Sequence, residues 1–196
     1  MEVGLRVIAG IAKGRRLLSV SGKGTRPITD RVKEALFDIL GSDIEEATFL
    51  DLFAGTGSVG IEALSRGARH AVFVERAHKA LQTIHKNLKL TGLGKNATVV
   101  RGDAFRYLKQ YRGEPPFDFI YVAPPQYRDI WARVLKALDS HPILSPKGVI
   151  IVQIHPKEVH ELALERLQLE RERRYGSTLL RFYTLVNSES VAECIK

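Results

Sequence analysis

Twelve residues constrain this chain most: Phe49-Leu50-Asp51-Leu52-Phe53-Ala54-Gly55-Thr56-Gly57-Ser58-Val59-Gly60. An apolar run breaks into a glycine-rich turn and then opens a helix. Glu75 stands at the end of the next apolar run, His70-Ala71-Val72-Phe73-Val74. Gly55 to Gly60 satisfies G-x-G-x-x-G, and an acid about 20 residues on completes the pattern of a dinucleotide site. The underlying physics is shared by other ribose-bearing ligands. Glycine lets the backbone approach a ligand closely, a helix N-terminus offers unpaired amides, and a carboxylate accepts from ribose hydroxyls. The turn therefore suits NAD and S-adenosylmethionine alike.

The rest of the chain alternates around this turn. Candidate strands fall at 48–52, 70–75, 97–101, 117–122, 148–154, 167–173 and 179–186, with helical segments near 58–66, 77–91, 104–111, 128–139 and 157–165. Five strands in βα alternation predict a parallel sheet with helices on both faces. The last two runs are joined only by Tyr175-Gly176-Ser177 and must pair antiparallel. The fold class is thus α/β: a seven-stranded, Rossmann-like sheet with one reversed strand. Ahead of it, residues 5–9 and 15–20 read as a hairpin and 21–27 as a loop. Thr29 or Asp30 caps a helix with the apolar stripe Val32, Ala35, Leu36, Ile39, Leu40. This divides the chain into an N-terminal extension, 1–46, and a ligand-binding domain, 47–196.

At 196 residues there is room for one α/β domain with an appendage. No apolar run approaches the roughly 20 residues of a spanning helix, and the N-terminus lacks a secretory layout. One cysteine, Cys194, forms no internal disulfide, and no metal-ligand cluster is visible. A reducing, cytoplasmic setting is the expectation. The net charge is +8, and Arg6, Lys13, Arg15, Arg16, Lys23, Arg26, Arg31 and Lys33 crowd the segment before the turn. Such a segment beside a ligand pocket points to a polyanion, RNA or DNA; the alternative is a solvated basic surface.

Three features favour the methyl donor over NAD. Asp51, before the turn, suits an amino-acid ammonium better than a pyrophosphate. Asp103, in Gly102-Asp103-Ala104 after the third strand, can accept from an adenine amine. Tyr121-Val122-Ala123-Pro124-Pro125 forms a rigid loop over the same sheet edge, where ligands of open α/β sheets bind. Each feature also has a purely structural use. Gly57 and Gly60 can serve helix packing, Asp51 and Asp103 can cap helices, and Glu75 can simply be solvated. Trp131 packs its helix on the sheet. Phe53 and Phe105 read as core or adenine-facing, with core the better reading of Phe53.

The stretch from Leu50 to Arg66 resembles the methyltransferase motif of the bacterial RsmD family. Arg26-Pro27-Ile28-Thr29-Asp30-Arg31-Val32-Lys33-Glu34-Ala35-Leu36-Phe37 resembles that family's N-terminal signature. The resemblance implies a class I S-adenosylmethionine-dependent methyltransferase acting on the exocyclic N2 of a guanine in small-subunit (16S) ribosomal RNA. Its partner would be ribosomal RNA or the small subunit, with no membrane and no metal. Carried over, the donor would lie against Asp51, Phe53, Ala54, Gly55, Thr56, Gly57, Glu75, Arg76, Asp103 and Ala104. Thr29 and Arg26 would close over it, and Arg15, Arg16, Lys23, Arg26 and Arg31 would hold RNA. The family's fourth-strand motif is Asp or Asn, Pro-Pro, then Phe or Tyr. Here it reads Ala123-Pro124-Pro125-Gln126-Tyr127: no acceptor at the first position, and the aromatic one place late. The reading adopted is a remodelled catalytic pocket in which backbone carbonyls and Gln126 accept and Tyr127 stacks. The alternatives are a same-fold enzyme for DNA or a protein side chain, a non-catalytic RNA-binding assembly factor, and an NAD oxidoreductase.

Overall fold

The computed structural model describes residues 5–20, 28–112 and 116–186; Lys23 and Arg26 lie outside them. In chain order the elements are α1 (Asp30–Leu40), β1 (Thr48–Asp51), α2 (Ser58–Ser65), β2 (His70–Glu75), α3 (His78–Thr91), β3 (Ala97–Arg101), α4 (Ala104–Gln110), β4 (Phe117–Val122), α5 (Ile130–Ser140), β5 (Leu144–Ile154), β6 (Leu167–Tyr175) and β7 (Thr178–Leu185). The seven strands form one sheet, ordered β3-β2-β1-β4-β5-β7-β6. Only β7 is reversed, pairing antiparallel with both β5 and β6.

β1 is buried along its whole length because helices cover both faces. Successive residues of a strand point to opposite faces, and two cores result. Phe49, Phe73 and Phe119 pack with α1, α2 and α3; Leu50, Ile120 and Val152 pack with α4 and α5, where Trp131 is wholly buried. The chain winds outward from β1 through β2 to β3, then returns to β4 on the other side of β1. That reversal opens a crevice between the carboxyl ends of β1 and β4, the place where such sheets take ligands.

The N-terminal segment is a hairpin whose arms meet in one antiparallel bridge, Arg6 to Arg16. Val7 N–H donates to the Arg15 carbonyl (3.0 Å), and Leu17 N–H to that of Leu5 (2.7 Å). Buried polar groups fasten it to the sheet's helices. The Glu62 carboxylate accepts from the amides of Ile8 (2.8 Å) and Ala9 (2.9 Å) and lies 3.3 Å from Lys33 Nζ. Lys33 also donates to the Arg6 carbonyl at 2.6 Å. Lys33 is fully buried, so it leaves the exposed basic set in which the sequence places it. Asn87 on α3 accepts from Leu18 N–H (2.7 Å) and donates to the Thr56 carbonyl (2.9 Å). It joins the hairpin to the glycine-rich turn.

One predicted helix does not form. Residues 157–165 hold only the end of a short 3-10 turn, Pro156–Glu158, followed by chain without regular structure. Tertiary bonds claim this segment. Glu158 accepts from the amides of His155 and Tyr127. His160 pairs with Asp129 at 2.7 Å, and Asp139 accepts from the amides of Glu165, Arg166 and Leu167. Among the described residues no helix is long and apolar enough to cross a membrane.

Candidate active site

A cavity of about 1010 Å³ opens at the crevice. One wall comes from the ends of β1, β2 and β3: Phe53, Gly55, Glu75, Arg76, Asp103 and Ala104. The other comes from the segment after β4, Ala123-Pro124-Pro125-Gln126, with Gln153 of β5. Phe105, Arg128 and Arg133 complete the lining. Ten of the residues read from sequence as donor-binding or catalytic therefore meet here: Phe53, Gly55, Glu75, Arg76, Asp103, Ala104, Ala123, Pro124, Pro125 and Gln126. Phe53 does both: it packs against the core on the α4 and α5 face and lines the cavity, because β1 ends at Asp51 and the chain turns there.

Local bonds fix the acids. Glu75 accepts from Gly55 N–H through one oxygen (2.9 Å) and from the amides of Arg76 and Ala77 through the other (2.8 Å each). It ties the glycine-rich turn to the end of β2 and keeps further lone pairs for a ligand. Asp103 caps α4, one oxygen accepting from the amides of Phe105 (3.0 Å) and Arg106 (3.2 Å). Its other oxygen has no share in the cap. The Arg133 guanidinium lies 4.7 Å over the Phe105 ring and holds that ring at the cavity wall.

Other predicted residues stand apart from the cavity. Asp51 is buried beneath the turn, one oxygen accepting from Gly60 N–H at 3.2 Å and the other without a hydrogen-bond partner. Its burial pushes the carboxyl up to about 7, with the Glu75 charge adding to the rise. It serves the start of α2 rather than standing open to a ligand. Gly57 takes φ 76°, a left-handed conformation suited to glycine. A Cβ on Gly60 would sit 2.4 Å from the Phe73 ring. These two glycines serve packing, while Gly55 faces the cavity. Ala54 and Thr56 form the turn behind it, and the Ala54 carbonyl accepts from Gly57 N–H at 2.6 Å. Thr29 caps α1 and does not line the cavity. Arg15, Arg16 and Arg31 are exposed.

Tyr127 is 66% exposed and holds φ 59°. For a bulky residue that conformation is strained. Two contacts hold it: its amide donates to Glu158 at 2.6 Å, and its ring lies 5.7 Å from that of His155. It stands between Gln126 and Arg128, which line the cavity, and presents its ring to solvent. Sequence reasoning missed Gln153, Arg128 and Arg133. The signal for Gln153 was present: it is the one polar residue in Val149-Ile150-Ile151-Val152-Gln153-Ile154.

Strand order, the single reversed strand and a cavity at the switch point define the fold of the class I S-adenosylmethionine-dependent methyltransferases. The lining fits an adenosyl group: carboxylates at two strand ends, a glycine without a side chain to obstruct approach between them, and aromatic rings alongside. The family model described as "Conserved hypothetical protein 95" matches residues 5–184. YlbH of Bacillus subtilis (strain 168) is 42% identical over 182 residues, 91% of this chain and 98% of its own. Ribosomal RNA small subunit methyltransferase D of Haemophilus influenzae is 34% identical over 180 residues, 91% and 93% of the two chains. The solved structure of yhhF from Escherichia coli has a TM-score of 0.82 at 33% identity, covering 93% of this chain and 98% of that one. An RNA methyltransferase from Salinibacter ruber in complex with S-adenosyl-L-homocysteine has a TM-score of 0.64 at 16% identity, covering 83% and 95%, a likeness of fold. The chain belongs to the RsmD family.

Proposed function

We propose that this chain is an S-adenosylmethionine-dependent methyltransferase that modifies the exocyclic N2 of a guanine in small-subunit ribosomal RNA. The observation that carries the reading is the cavity. Glu75 and Asp103 stand on one wall and Ala123-Pro124-Pro125-Gln126 on the other, in a chain whose relatives include a small-subunit RNA methyltransferase. Glu75 would hold the ribose hydroxyls, Asp103 and Ala104 the adenine edge, and Gly55 the segment between. Bound S-adenosylmethionine would supply a methyl group on a sulfonium, its S–C bond breaking to a thioether as an N–C bond forms to the amine, whose proton leaves to water.

The second wall would prepare the amine. Its lone pair is delocalised into the base, and acceptors at its two hydrogens would orient it and stabilise the charge that develops on nitrogen. The carbonyls of the proline segment and Gln126 are candidates, and the exposed Tyr127 ring would stack on a base turned out of its helix. Holding amine and methyl in attack geometry supplies on the order of 7–11 kcal/mol at most. Exposed Arg15, Arg16 and Arg31, with Lys23 and Arg26, would hold phosphates.

The test is methyl transfer from radiolabelled donor to naked 16S RNA, to small subunits from cells lacking this chain, and to DNA, with mass mapping of the modified nucleotide. One labelled N2-methylguanine in RNA or subunits is the expected result. Label in DNA, or donor binding without transfer to any substrate, would refute it. The latter result would point to an assembly factor, the alternative that Ala123 keeps open.

A further inference from the structure

Ala123 occupies the position where the fourth-strand motif carries an acceptor side chain. β4 and β5 run parallel, and their last matched pair is Val122 with Val152. The next residues are Ala123, just past the end of β4, and Gln153, still on β5, and both line the cavity. Four lining residues carry side-chain oxygens: Glu75, Asp103, Gln126 and Gln153. Glu75 and Asp103 stand on the opposite wall, Glu75 bonded to the amides of Gly55, Arg76 and Ala77 and Asp103 to those at the start of α4. Gln126 is exposed.

Gln153 is held from beneath. The buried Tyr121 hydroxyl donates to its Oε1 at 2.5 Å. Burial, reinforced by the Asp51 carboxylate, raises the Tyr121 phenol well above its ordinary value, so this hydroxyl remains a donor. β7 fixes the other side of the strand, Gln153 pairing with Leu180. The amide is thus orientated, with the second Oε1 lone pair and the NH₂ group left for a ligand.

We infer that the Gln153 amide, fixed by Tyr121, is the acceptor for the substrate amine, moved one strand across from position 123. This rests on the reading of the cavity as a methyltransferase site for a base amine. An amide differs from a carboxylate in offering a donor beside its acceptor. Oε1 would accept an amine hydrogen while NH₂ donates to a ring nitrogen beside that amine, a pairing open to guanine through N2 and N3.

The test measures kcat on small subunits from cells lacking this chain, and S-adenosylhomocysteine affinity by calorimetry. Gln153→Met should lower kcat by about 10²–10³-fold, as when one positioned hydrogen-bonding group is removed, with homocysteine-nucleoside affinity unchanged. Adding Ala123→Asp to Gln153→Met should restore at least about tenfold, since the acceptor then returns to β4. A Gln153→Met enzyme within about threefold of the unmodified kcat overturns the assignment of Gln153 and leaves the methyltransferase reading standing. An unmodified chain that transfers no methyl to RNA overturns that reading, and this proposal with it. If Gln153→Met loses ligand affinity, Gln153→Glu decides, since it keeps the acceptor oxygens. A kcat within about tenfold supports the assignment, and a loss beyond about 100-fold with affinity retained overturns it.

Discussion

Asp51 shows what one residue costs in this fold. The carboxyl is buried, one oxygen is unpartnered, and its pKa rises to about 7 from 3.8. Between those two values the unfolded chain releases the proton and the folded chain keeps it. Stability therefore falls as pH rises through that window, by about 1.4 kcal/mol per pH unit, and levels off above 7. Asp51→Asn removes the titrating group and can still accept from Gly60. Its melting temperature should exceed the native chain's by a margin that widens from pH 5 to 7. Calorimetric scans across that range measure it, and a constant margin would show that Asp51 is ionised throughout. Asp51 was legible as important because it precedes the turn. That it would be buried, and that Gly60 would be its partner, depends on how α2 packs.

At the scale of elements, the N-terminal hairpin has few ladder bonds and relies on α1, α2 and α3. Glu62 is the centre of that attachment. Its buried carboxylate meets Lys33, Arg66 and two hairpin amides. Replacing the pair with apolar residues would be tolerable, but removing one partner strands a buried charge. Glu62→Ala should cost about 3–5 kcal/mol in urea unfolding, and Lys33→Met clearly less. Equal losses would mean that packing, rather than the stranded lysine, sets the cost. No local pattern reveals this pair: Lys33 reads as one more basic residue, and nothing near Glu62 in the sequence marks it for burial. The misread helix at 157–165 has the same origin. The composition suits a helix, yet Asp139, Asp129 and Tyr127 from distant positions engage the Glu165 amide and the His160 and Glu158 side chains. At the sheet's free edge, β6 carries Glu170, Arg171, Glu172, Arg173 and Arg174, with a register shift between Leu169 and Arg171. Charge and bulge both discourage pairing with another chain.

For the whole molecule, the net charge of +8 bears on association rather than on fold. Arg15 and Arg16 are exposed on the hairpin, and its arm is bonded through Asn87 to the glycine-rich turn. Arg15→Glu with Arg16→Glu should weaken binding of a 16S RNA fragment. Its salt dependence should flatten by roughly 0.7 for each single-strand phosphate that is no longer neutralised. S-adenosylhomocysteine affinity should not move. Anisotropy titrations at several salt concentrations read the first effect and calorimetry the second. Unchanged RNA affinity would assign RNA binding to another cationic surface, with the arginines of β6 the next to test.

The sequence by itself determined the alternation of strands and helices, the reversed last pair, the turn at Gly55 and the acids at the strand ends. These are local matters: periodicity, glycine conformation and capping act within a few residues of one another. Tertiary structure alone decided which of those residues share a cavity. It buried Asp51, set Lys33 against Glu62, turned Tyr127 outward and brought Gln153 beside Ala123. Each outcome depends on strands far apart in the chain being paired in one register, and no window of sequence contains that information.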